Sequence, residues 1–328
     1  MTKKPDYRER VQRVQAQMRR QGTDYVFLSI SPDLFYLTGF TSFVSERLHL
    51  LIVPAEGRPR LSFPEFETDM VDHLSDWITI GGWPESEGPI PTVRASLDAA
   101  DLDRSLRIAI SDHTRAVFLL QLQAALPRSE FTSASSILGP MRRVKDGYEL
   151  RILREAQDLA VEALARLLER PLEGRSEKEV ASELALLCEA VGFEKSAGVL
   201  VGSGPNGAMP HLSPTERVIQ RGEPVVIDFT GVHHGYHSDC TRTVHVGPPS
   251  DEFSEVFEIV RRANEKALEA IGPGVPSQEI DRTAREVIDR RGYGEYFTHR
   301  LGHGIGIEVH EEPYMVEGNE LPLSPGMT

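Results

Sequence analysis

Apolar and polar positions follow two different patterns in the two parts of the chain. Residues 5–21 carry the spacing of an amphipathic helix, and the short apolar runs Tyr25–Leu28, His49–Val53 and Leu106–Ile110 read as buried strands. Between them, Ser31–Phe40 has turn residues at both ends. Together these predict an α/β unit. The stretch Thr132–Pro140 lacks sustained periodicity and leads into the charged run Met141–Asp146, so a boundary is expected there, giving domains 1–140 and 141–328. From residue 147 the pattern becomes that of long helices, with apolar residues at Leu150, Leu153, Leu159, Val161, Leu164, Leu167 and Leu168.

The second part also repeats itself at an offset of 100 residues. Ala163 matches Ala263, Leu168 matches Leu268, Gly174 matches Gly274, Glu179 matches Glu279 and Gly192 matches Gly292. Each copy predicts a helix, a glycine turn, a second helix and a glycine stop. Two related halves packed face to face leave a cleft, a usual place for a site.

Composition narrows the function classes. A net charge of -14 opposes a polyanionic partner, so no nucleic acid is expected. The amino-terminal segment has no apolar core of a secretory signal, and no window approaches ~18 apolar residues, so no membrane partner is expected and a cytoplasmic location is. The two cysteines, Cys188 and Cys240, are too few for a disulfide framework or a thiolate zinc site.

Chemistry enters with the stretch Pro224–Val246, which reads as two strands around a turn at Val232–Gly235. Centring the hairpin between His233 and His234 places Asp228 directly opposite Asp239, and facing like charges destabilise a sheet unless neutralised. A shared proton, a pair satisfied by Arg242 or Thr241, and a divalent metal pair all answer that need. The metal fits best, since oxygen-rich sites with one or two imidazoles suit ions such as manganese. Four histidines accompany the pair: His211, then His299, His303 and His310 in Thr298–Pro313. The interval from His299 to His303 suits one helix face, but Gly302, Gly304 and Gly306 argue against a helix and for backbone drawn close to a ligand or another strand. The Gly202–Gly207 stretch fits G-x-G-x-x-G, yet Pro205, Pro210 and Pro214 deny it the following helix that dinucleotide binding needs. It reads instead as a loop that brings His211 to the cleft.

Taken together, Tyr36–Phe40, Pro210-His211, Asp228, Ser238–Thr243 and His299–Glu311 resemble the creatinase/methionine-aminopeptidase superfamily, in its proline-specific branch of Xaa-Pro dipeptidases and aminopeptidases P. The resemblance implies an α+β fold: an N-terminal creatinase-type α/β domain, then a pseudo-twofold pita-bread catalytic domain. It implies Asp228, Asp239 and His303 as ligands of two divalent metal ions, manganese foremost, with zinc or cobalt as alternatives. Asp239 would bridge the ions, His211 and His310 would contact substrate and the tetrahedral intermediate, and His299 would line the pocket. Proline-containing peptides are the implied partners, metal-assisted hydrolysis before proline the implied reaction, and a homodimer the implied assembly. Dipeptides and longer peptides both remain open as substrates. Two departures stand out. Asp228 is followed by Phe-Thr-Gly where many relatives have glycine two residues on. In addition, Leu323–Thr328 resembles the lead-in to a Thr-x-Glu-Pro-Gly motif, so the domain is expected to be incomplete at its C-terminal end. Two glutamate ligands would then be missing and metal occupancy low. A non-catalytic pita-bread binding module is the competing function, though such members typically lose the aspartates and histidines retained here.

Overall fold

The computed structural model describes residues 5–328, which divide into two compact units, one up to Arg142 and one from Arg143 onward. In the first, α1 (Tyr7–Gln21) begins where Asp6 accepts the Glu9 N–H and ends at Gly22, whose φ of 67° is left-handed. Next come β1 (Tyr25–Leu28) and α2 (Pro32–Thr38), the latter capped by the Ser31 hydroxyl and closed by Gly39 at φ 70°. The turn residues bounding Ser31–Phe40 are therefore the two caps of a short helix.

The unit continues through β2 (Leu50–Pro54), β3 (Arg60–Pro64), β4 (Thr79–Trp83), α3 (Pro89–Ala95), β5 (Arg107–Ile110), α4 (Ala116–Ala125), β6 (Glu130–Ser133) and α5 (Ser135–Arg143). Its sheet runs β4-β3-β2-β1-β5-β6, with β1 parallel to β5 and antiparallel to β2. β1 and β2 are buried along their whole length, which is why both read as unbroken apolar runs. The segment 132–140, which shows no periodicity, holds the end of β6 and most of α5; these elements are too short to display a period.

The second unit opens with α6 (Gly147–Leu168), started by a reciprocal capping box between Asp146 and Glu149, and α7 (Glu177–Val191), started by another between Ser176 and Glu179. The buried stripe of α6 consists of Ile152, Leu153, Ala156, Ala160, Ala163, Leu164 and Leu167, whereas Val161 and Leu168 are exposed. The alanines let this helix approach the sheet formed by β7 (Lys195–Ser203), β8 (Pro224–His233), β9 (Tyr236–His237) and β10 (Cys240–His245). Cys188 and Cys240 are free thiols in the core between them.

After that sheet, α8 (Asp251–Ala270) and α9 (Ser277–Asp289) repeat α6 and α7, and β11 (Gly302–Gly304) pairs with β12 (Glu311–Met315). The internal repeat extends to backbone hydrogen bonds. The Gly174 N–H donates to the Ile219 carbonyl at 2.9 Å and the Gly274 N–H to that of Leu323 at 2.8 Å. Glu177 N–H meets Arg217 at 3.0 Å, and Ser277 N–H meets Leu321 at 2.9 Å. Gly192 and Gly292 close their helices at φ 114° and 80°. Among the described residues, no helix is long and apolar enough to cross a membrane.

Candidate metal and substrate site

The β8–β10 hairpin turns on His234 and Gly235, whose φ values of 49° and 78° are both left-handed, as a two-residue hairpin turn requires. His233 therefore pairs with Tyr236 and Val232 with His237, and further along the ladder Thr241, not Asp239, stands opposite Asp228. The expected direct pairing of Asp228 with Asp239 is thus corrected, because the turn lies farther along the chain than between His233 and His234. Side chains two positions apart share a strand face, so this shift leaves Asp239 on the same side as Thr241 and Asp228. The Thr241 hydroxyl donates to Asp228 Oδ1 at 2.5 Å.

Ser238 and Asp239 interrupt the ladder. The Ser238 N–H donates to the Gly231 carbonyl at 2.9 Å and the Gly231 N–H to the Ser238 hydroxyl at 3.1 Å. At Gly231 a side chain has no room, since a Cβ there would lie 2.6 Å from the Phe193 ring. Burial, and then the negative charge of Asp228, push the Asp239 carboxyl above the ordinary aspartate range, opposed by His303. The repulsion inferred from the sequence is therefore present, although the geometry differs.

β11 supplies His303. Its Nδ1 lies 2.9 Å from the Gly304 carbonyl, which can only accept, so that nitrogen carries the proton. The other nitrogen, Nε2, lies 3.5 Å from Asp239 Oδ2. The glycines hold this segment against its partner strand: a Cβ on Gly304 would lie 2.5 Å from the Glu312 carbonyl oxygen, and one on Gly306 would lie 2.7 Å from the Glu311 carboxylate. No helix links His299 to His303. The His310 ring stands perpendicular to that of His303 at 4.3 Å, and the His211 ring is edge-on to His299 at 6.5 Å. Partial desolvation, followed by the charges of His303, Arg300, His211 and His299, lowers the His310 pKa. All four histidines thus belong to one electrostatic neighbourhood.

The donor set, two carboxylates that repel each other and an imidazole whose Nδ1 is held by a backbone carbonyl while Nε2 faces Asp239, fits a divalent cation. Among the described residues, no three His, Cys, Asp or Glu side chains close into a ligand cage. Gly202–Gly207 leads into no α-helix, in keeping with its prolines: a short 3₁₀ turn spans Gly204–Ala208, and a Cβ on Gly202 would lie 2.9 Å from the Asn206 carbonyl oxygen.

Sequence reasoning missed several supporting groups. Glu311 is buried and paired with buried Lys145 at 3.1 Å, while also accepting the Glu308 N–H at 3.0 Å. The His237 N–H donates to the Gly306 carbonyl at 2.8 Å, tying the Asp239 segment to the loop between His303 and His310. Glu177, Asp281 and Arg285 anchor the loops that bear His211 and His299. Glu177 looks like an ordinary first-turn acid after a capping serine, and nothing in the spacing signals its burial.

Comparison with known proteins agrees with this architecture. The metallopeptidase family M24 matches residues 151–328 and the creatinase/prolidase N-terminal domain matches residues 10–144. The chain is 38% identical to a probable dipeptidase PepE of Mycobacterium tuberculosis, over 92% of this chain and 80% of that protein. It is 31% identical to an Xaa-Pro dipeptidase of Pyrococcus horikoshii, over 97% of this chain and 87% of that one. The crystal structure of a recombinant prolidase from Thermococcus sibiricus superposes with a TM-score of 0.92 at 33% identity, covering 99% of this chain and 89% of that one. The repeated helix pairs and their sheets are thus the two halves of a pita-bread domain, and the chain belongs to metallopeptidase family M24, with a creatinase/prolidase-type domain ahead of its hydrolase domain.

Proposed function

We propose that this protein hydrolyses the peptide bond preceding proline, with Xaa-Pro dipeptides as its first substrate class. The observation that carries the reading is the proximity of Asp239 and His303, 3.5 Å apart with the imidazole Nδ1 turned to the Gly304 carbonyl and Nε2 to the carboxylate, beside the like charge of Asp228. Relatives named as Xaa-Pro dipeptidases supply the proline preference. Asp228, Asp239 and His303 would hold two divalent cations, and those cations would supply the charge that acidifies a water and polarises the scissile carbonyl.

The remaining roles fall to the chain's own side chains. Thr241 donates to Asp228 and keeps that carboxylate oriented. The His303 ring is oriented by the Gly304 carbonyl through Nδ1. His310, with its pKa lowered, is neutral at physiological pH and can donate one N–H to an oxygen on which negative charge grows. His211 and His299 are exposed and bind the substrate. Manganese as the ion, a homodimer and a cytoplasmic location complete the proposal on the strength of the family resemblance. The competing reading, a binding module that has lost catalysis, is not favoured, because the aspartates and histidines are retained together. Turnover of Ala-Pro and Ala-Ala, with added manganese and then with chelator, tests the reading. Chelator-sensitive cleavage of Ala-Pro well above Ala-Ala is expected; equal cleavage of both, or cleavage that chelator leaves unchanged, would reject it.

A further inference from the structure

His211 and His299 sit on segments that have neither helix nor strand of their own, and both are exposed, yet their rings meet edge-on at 6.5 Å. Behind each segment lies a fully buried carboxylate on the second helix of its half. On α7, Glu177 accepts the Ser203 N–H and hydroxyl, both at 2.7 Å, the Asn206 amide at 3.0 Å, and the Thr215 N–H and hydroxyl at 3.1 and 2.6 Å. These donors flank His211 on both sides. On α9, Asp281 accepts the Leu301 N–H at 2.8 Å and Arg285 Nε at 2.7 Å. Arg285 in turn donates to the carbonyls of Phe297 at 2.5 Å and His299 at 2.7 Å, and lies over the Phe297 ring. His299 is flanked in the same way.

We propose that Glu177 and the Asp281–Arg285 pair are positioning residues that set the spacing between His211 and His299 across the substrate pocket. The inference rests on the proposed function, which gives both histidines to the substrate. Its physical basis is the number and kind of donors. Glu177 faces only donors, and an ionised carboxylate is the one side chain that offers them acceptors alone. A buried charge with several partners holds a loop more firmly than neutral hydrogen bonds do, because each bond is charge-assisted. Arg285 spans two carbonyls and a carboxylate with one rigid fork, which the single ammonium of lysine cannot reproduce. The two anchors stand on α7 and α9, the helices related by the internal repeat, so each half of the fold carries one histidine loop from its own second helix.

The test compares Glu177→Gln and Arg285→Lys with His211→Ala and His299→Ala, using zinc, which is diamagnetic, for spectroscopy. Cross-relaxation between the His211 and His299 ring protons is expected in the unmodified protein and lost in both anchor variants. KM for an Xaa-Pro dipeptide should rise on the order of 10-fold in those variants with kcat changed less, since misplacement of groups away from the chemistry weakens binding first. Thr215→Val, which deletes one donor and keeps the acid, should fall between and serves if Glu177→Gln does not fold. Retained cross-relaxation and unchanged KM in the anchor variants would overturn the proposal. If His211→Ala and His299→Ala leave KM unchanged, the substrate role of the histidines fails instead, and the spectroscopic readout still decides the positioning.

Discussion

The Glu177 carboxyl should make the stability of the second unit depend on acid in a way that one substitution removes. Burial alone would raise its pKa, but hydrogen bonds from Thr215, Ser203 and Asn206 outweigh burial and hold it at about 2 instead of the usual 4.5. A group with a depressed folded-state pKa contributes stability that is complete above its unfolded pKa and is lost as the pH falls through the folded value. The contribution at neutral pH is of order 3 kcal/mol, fading from about pH 4.5 toward pH 2. Glu177→Gln removes that charge and turns an amide N–H toward other donors, so a loss of about 2–4 kcal/mol is expected at pH 7. Fluorescence would miss it, because both tryptophans, Trp77 and Trp83, lie in the first unit. Amide hydrogen exchange of Ser203 and Thr215, whose N–H groups donate to the carboxylate, reports the site directly. The difference in opening free energy between the two proteins should shrink steadily from pH 5 to pH 2.5. A difference that stays constant over that range would refute the argument, because the bonds would then not depend on the charge.

Three further outcomes follow from the geometry. Gly231→Ala should destabilise the second unit by about 1–3 kcal/mol in hydrogen-exchange stability, because its Cβ would overlap the Phe193 ring; no loss would mean that the ring moves freely. Lys145→Met should cost about 3 kcal/mol by the same measurement, since it removes the buried cation from buried Glu311; no loss would mean that the pair does not hold the segment. His310→Ala should lower kcat for an Xaa-Pro dipeptide by about 2.7–4 kcal/mol in activation free energy while metal content stays the same; a change in KM alone would make His310 a binding group only.

Much of this architecture is legible in the sequence because the signals are local. Tyr25–Leu28 and His49–Val53 read as strands because both faces of that sheet are buried, which yields unbroken apolar runs. The internal repeat is visible because left-handed glycines at Gly174, Gly274, Gly192 and Gly292 must recur wherever the helices of each half start and stop. The hairpin register was misplaced because His234, a non-glycine residue at positive φ, occupies the first turn position, and histidine gives little notice of that conformation. The face shared by Asp228 and Asp239 survived that error, since a shift by two residues preserves the side of a strand. The anchors Glu177, Asp281 and Arg285 were invisible because their importance comes from burial and from partners as distant in sequence as Thr215 and Leu301. In α6 the apolar leucines drew attention, while the alanines that let the helix meet the sheet carry much of the packing.

The central claim, that Asp228, Asp239 and His303 hold divalent ions for cleavage before proline, is tested most directly by calorimetric manganese titration of the protein beside Asp239→Asn, with Xaa-Pro dipeptide turnover measured on the same samples. The account predicts that the substitution weakens manganese binding and abolishes turnover together, because an amide cannot supply the negative charge that a cation shared with Asp228 requires. Undiminished manganese affinity in Asp239→Asn, or turnover that survives with the metal removed, would contradict it.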